Sequence, residues 1–401
     1  MAESVNNNRL LICPSVGVWE IDGEYYFDHK FYEGMKEYKN YWPGKIKLLI
    51  RVDTSPVPSF GLVKYSDNLH EFFDILIINV NDPIQVEHLK NIEIVLASAD
   101  DFQQVNLAKL CKISNVKCIY ILEYTFKTRL QIVSLCNNSI LRKFKSIIWL
   151  FRQELRLRNA LTISDGLQAN GTAAYKQYSR LVANSIMYFD TRNTNDMLIS
   201  KTLLNLRLEY LDTTAPIRLC FSGRLTAIKG VEDLIELASE LKKRKISYYL
   251  NIFGSGDLDN HLKSKINAYS LQDTVFLHGA VAYETELVPY IKNNVDLFIC
   301  CHKQGDPSCT YLETYACGVP IVGYANEAHK GIVDTVDVGW VTPLGSITKL
   351  ADQIEHLNNN RHLIKPKAMA ALKFSENHTF EKTFERRIQH CVDVMNVEVR
   401  N

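Results

Sequence analysis

Short apolar runs rich in β-branched residues recur along the chain, with helical patterns between them. In the first half they are RLLIC from Arg9, IKLLIRV from Ile46, DILIINV from Asp74, IEIVLAS from Ile92, KCIYILEY from Lys117 and SIMYF from Ser185. In the second half they are IRLCFSG from Ile217, YYLNIFG from Tyr248, TVFLHG from Thr274, DLFICC from Asp296, VPIVGY from Val319 and GWVTP from Gly339. Runs of this length bounded by Gly, Pro and polar residues read as buried strands, and their alternation with helices predicts an α/β protein with two parallel sheets covered on both faces. The segment GVEDLIELASELKKRK after Lys229 places Val231, Leu234, Ile235, Ala238 and Leu241 at helical spacing, with a basic last turn, as a covering helix does. Between Asp190 and Pro216 the pattern weakens, which sets the domain boundary. The expected domains are residues 1–195, joined by a C-terminal helix within 380–401 that crosses back, and residues 205–378.

Composition narrows the class. A chain of 401 residues exceeds what one core usually organises. With 46 basic against 45 acidic residues there is no bulk charge to argue for nucleic acid as a partner. The ten cysteines (Cys13, Cys111, Cys118, Cys136, Cys220, Cys300, Cys301, Cys309, Cys317 and Cys391) mostly fall in or beside apolar runs and form no CxxC pair, so they read as reduced thiols of a cytoplasmic protein without a zinc or redox site. The opening MAESVNNNRLLICPSVGVW has one Arg and too short an apolar run for a signal peptide. No run reaches the roughly 18 apolar residues of a spanning helix.

One segment complicates a purely soluble reading. ILRKFKSIIWLFRQELRLR, residues 140–158, carries six basic residues and one acid, with Ile140, Phe144, Ile147, Phe151 and Leu155 on one stripe. It reads either as a core-facing helix with a solvated basic face or as a surface that docks on anionic lipid, which would make the protein peripheral on the inner face of a membrane.

Candidate chemistry gathers at strand ends, where doubly wound folds bind ligands. After IRLCF, Arg224 and Lys229 stand between Gly223 and Gly230, so two cations can reach one anion while the backbone approaches closely. IFGSGDL offers Gly254 and Gly256, with Asp257 as the expected helix cap, and FLHGAV ends its strand in His278 and Gly279. HKQGDPSCTYLETYACGVPIVGY, from His302, packs polar groups between two strands and aims the loop 305–310 at whatever lies above the following helix. Glu313 in that otherwise apolar helix needs a partner or a ligand. In the first half, EIDGEYYFDHKFYEGMKEYKNYW could form an acceptor wall of aromatic faces and carboxylates, or a helix with an ordinary aromatic core face.

In series, SGRLTAIKG, IFGSGDL, VFLHGAV, DLFICCHKQGDPSCTYLETYACGVPIVGY and GWVTPLG resemble the C-terminal domain of family 4 glycosyltransferases, the group 1 enzymes with the GT-B fold, over about residues 216 to 375. The first half, with CPSVGVW, ILEYTFKTRLQI and GLQANGTAAYKQY, resembles the branch from bacterial surface-polysaccharide pathways, those that build lipopolysaccharide and capsule. The resemblance implies two Rossmann-like domains facing a cleft. It implies that Arg224 and Lys229 hold the diphosphate of a nucleotide-sugar, that Glu313 accepts the ribose hydroxyls, that His278 to Val281 line the base, and that Ser15, Val16 and Gly17 approach the phosphates.

Two positions depart from the family pattern. Eight residues before Glu313, where the family usually carries a second Glu that touches the donor hexose, stands Gly305, with Asp306, Ser308, Cys309 and Thr310 as the neighbouring groups. Where a histidine often serves the donor sugar from the N-terminal domain, Glu123 and Tyr124 stand, and Glu123 could orient an acceptor hydroxyl. The implied function is a hexosyltransferase acting on a glycan or lipid-linked acceptor, retaining and metal-independent, with no cofactor beyond the donor substrate. The alternatives are a nucleotide-sugar epimerase of the same fold and a non-catalytic sugar-nucleotide-binding subunit.

Overall fold

The computed structural model describes residues 9–57, 61–65, 73–135, 139–212 and 215–397. All twelve apolar runs become strands. The first sheet has seven strands in the spatial order Ser185–Tyr188, Gly166–Asn170, Lys117–Leu122, Ile94–Ser98, Arg9–Cys13, Lys45–Arg51 and Asp74–Ile78. The second has six, in the order Val275–Gly279, Tyr248–Phe253, Ile217–Ser222, Leu297–Cys300, Ile321–Tyr324 and Gly339–Thr342. Every pairing in both sheets is parallel. Strands covered by helices on both faces must be apolar throughout, and Ile94, Val95, Leu96 and Ala97 are fully buried.

Each sheet starts in its middle, builds to one edge and then returns to fill the other side. This is the doubly wound order, and it opens a crevice beyond the carboxyl ends where the winding reverses. In the first sheet the reversal lies between Arg9–Cys13 and Ile94–Ser98, and in the second between Ile217–Ser222 and Leu297–Cys300.

The strand Gly166–Asn170 is absent from the expected set because Gln168 and Asn170 interrupt its apolar character. Gln168 is fully buried, and its amide both donates to the Arg387 carbonyl at 2.8 Å and accepts from Arg387 Nε at 2.9 Å. Arg387 belongs to the last helix, Phe380–Asn396, which packs in the core of the first sheet. There Phe384 meets Tyr38 edge-on at 5.2 Å, and Gly34 leaves room for it, since a Cβ at that position would come within 2.8 Å of the Phe384 ring. The aromatic segment near the N-terminus divides into an antiparallel hairpin, Trp19–Ile21 with Glu24–Asp28, and the helix His29–Tyr41, capped by Asp28. The stretch after Asp190 is not a plain linker. It contains the helix Lys201–Glu209, whose buried Arg207 donates to the carbonyls of Lys292 and Cys317 in the second domain.

Two expectations are overturned. Asp257 is not the cap: the helix Asp259–Ala268 takes Leu258 as its cap residue without a side-chain cap bond, and Asp259 Oδ1, in its first turn, accepts from the Gly256 N–H of the preceding turn at 3.0 Å. The core-facing reading of residues 140–158 also fails. The helix Ile140–Ile163 buries Leu150, Gln153, Glu154, Leu157, Ala160 and Leu161, and nothing before Leu150; of the expected stripe Ile140, Phe144, Phe151 and Leu155 face solvent and Ile147 is half-buried. Of the nine described cysteines, eight are buried and Cys309 is partly exposed; Cys136 and the opening residues 1–8 lie outside the described residues. Among the described residues no helix is long and apolar enough to cross a membrane.

Candidate active site

The turn after Ser222 and the loop after Cys300 meet at the reversal point of the second sheet. Lys229 is buried there, and its Nζ donates to Asp306 Oδ2 at 3.0 Å. The other oxygen, Asp306 Oδ1, is buried without a partner among the described residues. The helix beyond, Thr310–Ala316, takes Cys309 rather than Asp306 as its cap residue. A buried ion pair with one orphaned oxygen is half satisfied, so an entering anion competes for Lys229 against a weakly committed partner. His302 is buried beside this pair with neither ring nitrogen bonded among the described residues, and burial, with Lys229 and His329 adding, holds it neutral.

Arg224 is exposed on the same turn. Its charge reaches Tyr124 of the first domain: burial pushes that phenol up, Glu123 and Asp306 add to the effect, and Arg224 opposes it. Tyr124, Arg224 and Asp306 therefore share one electrostatic neighbourhood across the cleft. The glycines of the turns answer to packing. A Cβ on Gly254, at φ +127°, would stand 1.9 Å from the Gly223 carbonyl oxygen, and one on Gly256 2.5 Å from that of Leu225, so the two turns nest only without side chains.

Glu313 is buried, and its Oε1 accepts from Arg192 Nε at 2.8 Å, with the guanidinium 4.0 Å above the Tyr283 ring. Ser308 and Thr310 bond each other through their hydroxyls at 3.1 Å. Gly305 is pressed against the first domain: its N–H donates to Gln131 at 3.3 Å, its carbonyl accepts from Thr128 at 3.3 Å, and a Cβ would lie 3.0 Å from that of Glu327. The stem of a carboxylate side chain there would require Glu327 to move. His278 turns back onto its own sheet, bonded to Asn251 at 2.8 Å and stacked on Phe253 at 4.4 Å, whereas Gly279 has open space around it and Val281 packs against the core.

Opposite lies a cavity of about 580 Å³ in the first domain, with Ser15, Val16, Lys30, Phe31, Tyr38, Asp100, Glu123, Tyr124, Asp190 and Arg387 in its wall. Gly17 is not in that wall: it is packed between strands, and a Cβ on it would stand 2.8 Å from the Arg51 carbonyl oxygen and from Asp53. Glu123 accepts from Asn170 Nδ2 at 3.2 Å and is pushed up to about 7 by burial first, then by the charges of Asp190 and Asp100. Its backbone N–H is fixed by Asp100 at 2.6 Å, and Asp100 is in turn paired with Arg129 at 2.8 Å. In the aromatic segment Phe31 and Tyr38 line the cavity, while Tyr38 and Met35 are also core.

The residues missed in the sequence are those that close the cleft. Lys30 pairs with Asp190, and its Nζ lies 3.1 Å from Cys309 Sγ of the opposite domain. Lys127 and Thr125 each hold Glu327 at 3.1 Å. No local pattern marks Lys30, Asp190 or Arg192; a single Arg in the polar stretch DTRNTN was the faintest of signals. Among the described residues no group of three or more His, Cys, Asp or Glu side chains could hold a metal ion.

Residues 210–373 match the family model described as glycosyl transferases group 1. The chain is similar to the amylovoran biosynthesis glycosyltransferase AmsK of Erwinia amylovora, 29% identical over 45% of each chain, and to the putative colanic acid biosynthesis glycosyltransferase WcaL of Escherichia coli K12, 26% identical over 35% of each. The matches span less than half the length of these curated relatives. Among solved structures, the lipopolysaccharide outer core galactosyltransferase WaaB in apo form superposes with a TM-score of 0.63 at 13% identity, over 96% of this chain and 99% of that one. Anabaena Alr3699/HepE in complex with UDP superposes with a TM-score of 0.62 at 13% identity, over the same shares. The fold is the GT-B fold that the sequence resemblance implied.

Proposed function

From the match of residues 210–373 to the group 1 glycosyltransferases, we propose that the chain transfers a sugar from a nucleoside diphosphate sugar to a glycan or lipid-linked acceptor in the assembly of a surface polysaccharide, on the cytoplasmic side of the membrane. The observation that carries this reading is the buried Lys229–Asp306 pair facing Glu123 and Tyr124 across the cleft. In this reading Arg224 and Lys229 take the diphosphate, whose charge grows as it leaves. Glu313 exchanges Arg192 for the ribose hydroxyls, and the backbone from Gly279 to Val281 borders the base. Asp306, Ser308 and Thr310 hold the donor sugar.

The bond from the sugar's C1 to the diphosphate oxygen breaks, leaving its electron pair on the phosphate. The acceptor oxygen bonds C1 on the same face, with retention, and its proton passes to the departing phosphate or to Glu123. The 580 Å³ cavity receives the acceptor, with aromatic faces for sugar rings and carboxylates for hydroxyls.

The test is release of nucleoside diphosphate from a panel of donors with and without acceptor glycans. An epimerase would return the donor as its isomer, and a binding subunit would release nothing; either result refutes the proposal. Because two fixed cations meet the leaving group's charge, turnover is expected to survive excess EDTA. A collapse restored by magnesium or manganese would show that the clamp needs a metal.

A further inference from the structure

We propose that the outward stripe of the helix Ile140–Ile163 is a docking surface for an anionic lipid bilayer, with the helix lying along the headgroup plane. Seven of the twenty exposed large apolar side chains among the described residues lie between Ile140 and Leu155. At 3.6 residues per turn, Ile140, Leu141, Phe144, Ile148, Phe151 and Leu155 fall within an arc of about 100° on the side away from Leu150 and Leu157. Ile140 is 86% exposed, Phe144 62% and Leu155 70%. An apolar band this continuous is rare on a free surface and calls for an occupant.

Charge identifies that occupant. Lys145 and Arg152, both exposed, border the arc along one side, and Arg142 is exposed near the helix start. The segment's one acid, Glu154, is turned inward and neutralised by Arg158 at 2.6 Å. The neighbouring helix Leu107–Ile113 continues the surface with exposed Lys109, Lys112 and Ile113. An apolar arc with a cationic border and no exposed acid matches the interface of an anionic bilayer, where apolar side chains enter the acyl boundary and cations meet headgroups.

The surface also adjoins the cleft. Phe151 packs on Phe126 at 4.8 Å, and Phe126 begins the helix that follows Glu123 and Tyr124 in the cavity wall. Docked this way, the cavity mouth lies close to the headgroups from which a lipid-linked substrate would extend.

The experiment is flotation with phosphatidylglycerol/phosphatidylcholine vesicles against phosphatidylcholine vesicles, at low and high salt, without donor or acceptor, so that docking and sugar transfer can fail separately. Wild-type protein is expected to float with the anionic vesicles, less at high salt, and not with the neutral ones. Lys145→Gln/Arg152→Gln is expected to weaken partition by roughly twenty-five-fold, since each cation near such a surface contributes about fivefold. Phe144→Ser/Leu155→Ser is expected to abolish binding, while both variants keep the wild-type melting temperature because all four positions are exposed. Absence from anionic vesicles at low salt, equal binding to neutral vesicles, or undiminished flotation of either variant overturns the proposal. So does sedimentation velocity that finds a wild-type dimer split by Phe144→Ser/Leu155→Ser, which would assign the stripe to a second copy of the chain.

Discussion

Glu123→Gln removes a titratable group while keeping its shape, and a flip of the new amide preserves the bond with Asn170. Folding lifts the Glu123 carboxyl from its ordinary 4.5 to about 7, chiefly by burial and then by the nearby charges of Asp190 and Asp100. Because the folded-state value lies above the unfolded one, the folded protein binds more protons between the two. The associated stability is therefore complete below about pH 4.5 and is lost as the pH rises through about 7. At 1.36 kcal/mol per unit of pH, the interval is worth roughly 3 kcal/mol at pH 8, a loss the amide does not suffer. Calorimetric melting from pH 4.5 to 8.5 should show the variant gaining on the wild type between pH 5 and 7 and holding that lead above. The same substitution should cut turnover by roughly a hundredfold or more, as removal of a proton-transfer group does, and should erase a limb near pH 7 in the wild-type profile of kcat/KM. A variant that melts below the wild type at pH 8 would show that the charge is welcome in the pocket. Normal turnover with an unchanged pH limb would remove Glu123 from the transfer step.

Three further outcomes are expected. Arg224→Ala and Lys229→Ala should each lower turnover by roughly two orders of magnitude or more, as loss of transition-state charge stabilisation does, and steady-state kinetics near wild type in both would dissolve the clamp. Glu313→Ala should weaken nucleoside diphosphate binding by roughly tenfold to a hundredfold in titration calorimetry, the value of charge-assisted hydrogen bonds to the ribose, and unchanged affinity would leave Glu313 as the structural partner of Arg192 alone. Asp306→Asn removes the counter-ion of buried Lys229, so the free enzyme should melt lower, bind the diphosphate more tightly and transfer more slowly; weaker diphosphate binding would contradict the competition described for that pair.

The parallel strands could be read from the sequence because burial on both faces leaves an unbroken apolar run, and Ile94 to Ala97 shows this without interruption. Gly166–Asn170 could not, because its polar residues are answered from far along the chain: Gln168 by Arg387, and Asn170 by Glu123 and by the Asp190 N–H at 3.0 Å. The candidate donor side was legible for a related reason. Arg224, Lys229 and Asp306 sit on two turns at adjacent strand ends and Glu313 in the helix Thr310–Ala316 that follows the second, so local motifs already bring them together. Lys30, Asp190 and Arg192 meet partners from far along the chain, Lys30 with Asp190 and Cys309 and Arg192 with Glu313, and spacing in the sequence says nothing about such pairings.

The helix Ile140–Ile163 marks a different limit. Periodicity decides which residues share a face, not which face turns to the sheet, and this helix has two candidate faces. Hydrophobicity favours burying Ile140, Phe144, Phe151 and Leu155, yet the inward face carries Gln153 and Glu154. The choice is made by partners elsewhere in the fold. Glu154 accepts from Tyr178 at 3.0 Å and from Arg158 at 2.6 Å, and lies 3.7 Å from Arg129. Arg129 in turn pairs with Asp100, which holds the backbone N–H groups of Glu123 and Tyr124 at 2.6 and 3.2 Å. Turning the apolar stripe inward would take the Glu154 carboxylate away from Tyr178 and from the buried Arg129, leaving Arg129 with Asp100 alone among the described carboxylates, and depleting a buried ionic network costs more than exposing a few apolar side chains. The polar network that fixes Glu123 from inside therefore also holds the stripe outward.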